Sequence, residues 1–76
     1  FEYRDGVLHA EDVPLPAIAQ SCGTPTYVYS RAAIEERFRA FAAPLAGRDH
    51  LVCYAMKANS NLAILATLAR LGAGFD

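Results

Sequence analysis

Lysine is almost missing from this chain. Seven cations stand against eight anions in 76 residues, and six of the seven are arginine, so Lys57 is the only side-chain primary amine. The formal net charge of −1 gives no electrostatic reason to expect nucleic acid or an anionic membrane surface as a partner. The arginines form no stripe, since Arg37 and Arg39 share one segment with Glu35 and Glu36. No apolar run approaches the roughly 20 residues of a membrane span, and no signal-peptide pattern opens the chain. A cytoplasmic protein is the expectation. The two cysteines, Cys22 and Cys53, show no metal-type spacing, and Cys53 reads as a reduced core residue. There is no internal repeat and no low-complexity segment.

What the chain has in quantity is apolar surface. Its composition is 54% hydrophobic, whereas a chain of this size buries only about 60% of its unfolded surface. The apolar segments are therefore expected to want partners beyond residue 76. The absence of an initiator Met and a final Gly74-Phe75-Asp76 that reads as the start of a strand point the same way. The expectation is the N-terminal piece of a larger protein.

The local patterns predict an α/β protein. Phe1–Val13 carries Asp5-Gly6 between two short mixed segments, a hairpin signal. Residues 14–23 read as a short helix, with Pro16 in its first turn, Gly23 past its end, and Leu15, Ile18 and Ala19 on its buried side. Thr26–Tyr29 is a strand by β-branched and aromatic content. Ser30 is a candidate N-cap for an amphipathic helix over 31–43, whose apolar face is Ile34, Phe38, Phe41, Ala42 and Leu45. Pro44 and Gly47 end it. Leu51–Met56 is apolar throughout and predicts a strand buried on both faces, as in a parallel sheet. Lys57–Ser60 is a turn, and Ser60 or Asn61 caps a second helix with Ile64, Leu65, Leu68 and Leu71 as its stripe and Gly72 as its stop. Strand, helix and the strand beginning at Gly74 form a right-handed parallel unit by default. His9 and His50 read as surface and loop residues.

This order places Lys57 at the C-terminal mouth of a strand, where parallel α/β folds collect their chemistry. Apolar neighbours disfavour the charged amine and leave it nucleophilic. Such a lysine forms Schiff bases with aldehydes, pyridoxal phosphate being the commonest cofactor of that kind. On position alone, a lysine that snorkels from a strand end to solvent remains the competing reading. A kinase lysine needs a glycine-rich loop upstream and a partner glutamate downstream. Residues 24–50 hold a single glycine, Gly47, and residues 58–75 hold no glutamate. A P-loop needs Gly-Lys-Ser/Thr, and here Met56 precedes the lysine and Ala58 follows it.

Tyr54-Ala55-Met56-Lys57-Ala58-Asn59, a leucine-rich helix, and then Leu71-Gly72-Ala73-Gly74-Phe75-Asp76 resemble the opening of the fold-type III pyridoxal-phosphate decarboxylases. The branch acting on meso-2,6-diaminopimelate is the nearest in motif. Upstream, Asp5-Gly6, Gly23-Thr24-Pro25 and Tyr27-Val28-Tyr29-Ser30 also follow the family's order, so the resemblance spans nearly the whole chain. It implies a (β/α)8 TIM barrel. Residues 30–76 would supply its first helix, first strand, second helix and the start of its second strand, and residues 1–29 part of a separate β-domain. Lys57 matches the lysine that holds pyridoxal 5'-phosphate as a Schiff base. Ala55 matches a position lining the cofactor, and Asp76 an acidic residue beside the attachment point. Asn59, in the turn, either holds the lysine's backbone or is only a turn residue. The implied reaction is decarboxylation of meso-2,6-diaminopimelate to L-lysine by a homodimer. Related enzymes acting on ornithine, arginine or carboxynorspermidine share much of the motif, and a non-catalytic homologue serving as a binding or regulatory protein is the alternative of another class. An independent small interaction module is a further reading.

Overall fold

The computed structural model describes residues 1–76 and is a mixed α/β structure of two compact units, Phe1–Ser30 and Arg31–Asp76.

The first unit is built on a hairpin. Strands β1 (Glu2–Arg4) and β2 (Val7–Ala10) pair antiparallel, with Tyr3 opposite Leu8 and Arg4 opposite Val7. Asp5 and Gly6 between them both have positive φ, 51° and 77°. That is the two-residue turn whose twist suits the flanking strands, and it explains why Asp-Gly stands there. A second tight turn at Glu11-Asp12 adds β3 (Val13–Pro14), which pairs with β2 to make a three-stranded meander. Arg4 closes this turn from across the sheet. Its guanidinium donates to Glu2 Oε1 at 2.8 Å, Asp12 Oδ1 at 3.1 Å and the Glu11 carbonyl at 3.1 Å. The bonds to Glu2 and then Asp12 raise its pKa further above the usual arginine range. Ser30, buried at the end of the unit, donates from Oγ to Glu11 Oε2 at 2.9 Å.

Helix α1 (Leu15–Cys22) starts on Pro16 and ends at Gly23, whose N–H donates to the Ala19 carbonyl. Its half-buried residues are Leu15, Ile18 and Ala19, the three expected from spacing. The following segment, with a cis Thr24–Pro25 peptide, corrects one expectation: Thr26–Tyr29 forms no strand. The rings of Tyr27 and Tyr29 stack on each other, 6.4 Å apart and 14° from parallel. Stacking of residues two apart is what an extended backbone allows. No neighbouring strand pairs with this segment.

In the second unit, helix α2 (Arg31–Ala42) runs into a single 3-10 turn, Ala43–Leu45, around Pro44. Ile34, Phe38, Ala42 and Leu45 are half-buried as expected, but Phe41 is 68% exposed. Strand β4 (Cys53–Tyr54) pairs parallel with β5 (Gly74–Phe75), and helix α3 (Leu62–Arg70) connects them. α3 lies against α2, with Ile64, Thr67 and Leu68 buried and Leu65 and Leu71 half-buried. Thr67, absent from the expected stripe, is satisfied by donating its hydroxyl to the Ala63 carbonyl at 2.8 Å.

α3 stops on a Schellman motif. The N–H of Gly72 donates to the Ala69 carbonyl and that of Ala73 to the Leu68 carbonyl, with Gly72 at φ 94°. A side chain at that φ is strained. We therefore expect Gly72→Ala to lower stability by about 1 kcal/mol, read as a lower denaturant midpoint with an unchanged slope. An unchanged midpoint would remove the helix stop as the reason for this glycine.

Candidate functional site

The site is the C-terminal end of β4. Beyond the two strand residues, backbone bonds extend the ladder: Gly74 N–H donates to the Val52 carbonyl at 2.9 Å, Asp76 N–H to the Tyr54 carbonyl at 3.0 Å, and Met56 N–H to the Asp76 carbonyl at 3.0 Å. This pattern puts Asp76 opposite Ala55, continuing the pairs Cys53–Gly74 and Tyr54–Phe75. Side chains alternate along the strand. Val52 and Tyr54 are half-buried, while Leu51, Cys53 and Ala55 are exposed.

The expected strand buried on both faces is thereby corrected. Leu51 is 67% exposed and Cys53 is a free, exposed thiol. β4 has one sheet neighbour, β5, and one of its faces is open. Gly74 opposite Cys53 is part of the same face. A Cβ there would lie 3.1 Å from Cys53 Sγ and 3.2 Å from Leu51 Cδ2, so a side chain at position 74 would press on those two side chains. On the other face, Met56 and Phe75 join Leu62, Leu65, Ala66 and Ala69 of α3 around an apolar groove of about 530 Å³.

Lys57 lies two residues beyond Ala55. It is not on the strand but inside a turn closed by Ala58 N–H donating to the Ala55 carbonyl at 3.1 Å. Its side chain is exposed and makes no hydrogen bond or ion pair. The apolar enclosure expected around it is therefore not supplied by these residues. The structure brings Ala55 and Asp76 side by side and sets Lys57 just past them, without an ion pair between Lys57 and Asp76.

The loop carrying Lys57 is braced at both ends. Before it, Met56 N–H is held by Asp76. After it, the Asn59 carbonyl accepts from the Tyr54 hydroxyl at 2.9 Å, and Asn59 Oδ1 accepts from the Asn61 N–H at 3.0 Å. Asn61, one of the two candidate caps, then caps α3 by accepting from the Ala63 N–H at 2.9 Å. The Asn59 side chain forms an Asx turn, accepting from the N–H two residues on, just before α3. The Asn-x-Asn-x-Ala pattern was readable as consecutive side-chain turns. Tyr54 was not, because no spacing rule marks a hydroxyl that reaches five residues forward to a carbonyl. His9 and His50 sit elsewhere. Each places Nδ1 within 3 Å of the carbonyl two residues earlier, at Val7 and Arg48, where a ring nitrogen can only donate.

Residues 31–76 match the family described as pyridoxal-dependent decarboxylase, pyridoxal binding domain. The match covers more than half of the chain, and the chain belongs to this family. Pyridoxal phosphate is the cofactor of that family, and Lys57, just past β4, is the one lysine of this chain. Among individual proteins, diaminopimelate decarboxylases of Pseudomonas aeruginosa and Vibrio cholerae are 66% and 57% identical over 76 and 77 aligned residues. Each alignment covers 100% of this chain and 18% of the relative. A crystal structure of a protein from Aquifex aeolicus superposes with a TM-score of 0.88 at 51% identity, covering 99% of this chain and 18% of that one. The chain thus spans less than a fifth of the length of these relatives.

Proposed function

We propose that this chain supplies the cofactor-anchoring lysine of an amino-acid decarboxylase. The whole enzyme would convert meso-2,6-diaminopimelate to L-lysine and CO2. One observation carries the reading: the chain's only lysine stands, unpaired, at the end of β4 in a sequence 66% identical throughout to diaminopimelate decarboxylases.

The residues at this end suit pyridoxal 5'-phosphate. An amine without a competing partner is free to react, the methyl of Ala55 takes little room on the open face, and the carboxylate of Asp76 belongs to the position opposite. Lys57 Nζ would hold the cofactor through its aldehyde group. When bound, the cofactor's ring supplies the electron sink that accepts the pair left as the carboxylate departs as CO2. Asp76 would place a carboxylate beside the attachment point. Lys57 would be the residue that yields this place to the substrate's amine and retakes it as the product leaves.

Residues 30–76 would form the first helix, first strand, second helix and start of the second strand of a (β/α)8 barrel, which takes about 250 residues. Residues 1–29 would join a β-domain. A cytoplasmic homodimer follows from the same resemblance, and no helix here is long and apolar enough to cross a membrane.

The test uses the full-length protein. Borohydride should fix the cofactor to the peptide containing Lys57, and CO2 release should be fastest with meso-2,6-diaminopimelate when ornithine and arginine are supplied in parallel. Label on another residue would end the anchoring role. Faster turnover of ornithine or arginine would keep the chemistry and change the substrate.

A further inference from the structure

We propose that Tyr54 is a positioning residue for Lys57, acting through its hydroxyl on the backbone of the turn that carries the lysine. This rests on the reading of Lys57 as the cofactor's attachment point. Between Met56 and Asn59 the chain leaves β4 and turns toward α3, and Lys57 lies within that span. Upstream, the span is fixed to the sheet by Met56 N–H donating to the Asp76 carbonyl. Downstream, the bond that ties it back to β4 is Tyr54 Oη to the Asn59 carbonyl, 2.9 Å and partly buried. The Asn59–Asn61 and Asn61–Ala63 bonds tie the same stretch to α3 instead.

The two anchors do different things. The asparagine bonds fix where the helix begins, whereas the tyrosine bond fixes how far the turn stands from the strand that sets the site. Tyr54 ends β4 and Ala55 follows it with opposite facing, so the ring serves the half-buried face while Ala55 and Asp76 occupy the open end. With the hydroxyl gone, the turn keeps its helix anchor and its Ala55–Ala58 closure. It loses the restraint that holds its downstream limb against β4. The amine then samples more positions relative to Ala55 and Asp76. A misplaced covalent anchor is felt in chemistry more than in binding, because the reacting atoms lose alignment.

The variant is Tyr54→Phe in the full-length enzyme, which keeps the ring and removes the hydroxyl. Two readouts besides activity are needed. First, amide exchange in the apo protein should accelerate in the peptide covering residues 55–61 by about fivefold, the scale of one lost neutral hydrogen bond. Second, hydroxylamine should release the bound cofactor several-fold faster, followed by the change in visible absorbance. kcat should fall by about tenfold with KM within about twofold, at temperatures well below the melting transition. A hydroxyl that serves the fold alone would lower the melting temperature and leave release rate and the kcat-to-KM split unchanged, which overturns the proposal. So does a variant that no longer melts cooperatively, since the hydroxyl is then needed for folding. If borohydride labels another residue in the unsubstituted enzyme, the anchoring role of Lys57 falls. If the label is on Lys57 but Tyr54→Phe releases cofactor at the normal rate, only the positioning role falls.

Discussion

Lys57→Ala should leave the full-length protein with no cofactor that borohydride can fix to the chain and with decarboxylation reduced by on the order of a thousandfold or more. The size follows from what is removed. A nucleophilic amine that forms the covalent link has no substitute in these 76 residues, because every other cation is an arginine. Lys57→Arg should be nearly as inactive. It restores the positive charge at the same position, but a guanidinium stays protonated and offers no nucleophilic nitrogen. The pair of variants separates the two readings left open by position alone. A lysine that merely snorkels to solvent contributes its charge and its stem, and arginine replaces both. Activity near normal in Lys57→Arg would sink the covalent role. Loss of activity in both, with unchanged melting temperatures, is the expected result. Since Lys57 is exposed and makes no ion pair, neither change should alter the fold by more than about 0.5 kcal/mol.

The parts of this structure that were legible in the sequence are those decided by a few adjacent residues. Asp5-Gly6 dictates its turn because both residues must take positive φ, and Leu15, Ile18 and Ala19 mark the inner side of α1 because a helix repeats every 3.6 residues. Asn61 and Gly72 bound α3 for the same local reason. The misreadings all involve what a segment packs against. Thr26–Tyr29 has the composition of a strand, but a ladder needs a neighbour that composition cannot supply. Leu51–Met56 has the continuous apolar character of a strand covered on both sides, yet Leu51 and Cys53 are exposed and the ladder has a single partner. Phe41 lies within the helical stripe but beyond the width that α2 buries. At the site, the motif around Lys57 identified the residue and its family, whereas the bracing by Tyr54 became visible only through the hydrogen bond from its hydroxyl to the Asn59 carbonyl. Period and propensity carry no information about such bonds.

Leu68→Ala tests how much the position of Lys57 depends on the packing of α3. Leu68 is 7% exposed and, with Ile64 one turn earlier and the neighbouring Thr67, forms the buried part of α3. Its truncation removes three heavy atoms from a packed site and leaves a cavity, for which about 3 kcal/mol is the expected loss of stability. Leu68→Met, which nearly conserves volume, should cost less than about 1.5 kcal/mol. Both are measured as denaturant midpoints of the full-length protein. The Leu68 carbonyl also receives the Ala73 N–H at the stop that directs the chain into β5, and β5 in turn carries Asp76 to its place opposite Ala55. A helix loosened at Leu68 therefore disturbs both ends of the site, the Asn61 cap that follows the lysine turn and the strand that brings the carboxylate. For the alanine variant we expect cofactor release to accelerate along with the loss of stability, and for the methionine variant neither. If Leu68→Ala destabilises as expected while cofactor release stays unchanged, α3 is scaffold only, and the local braces at Tyr54 and Asn59 hold the lysine turn without it.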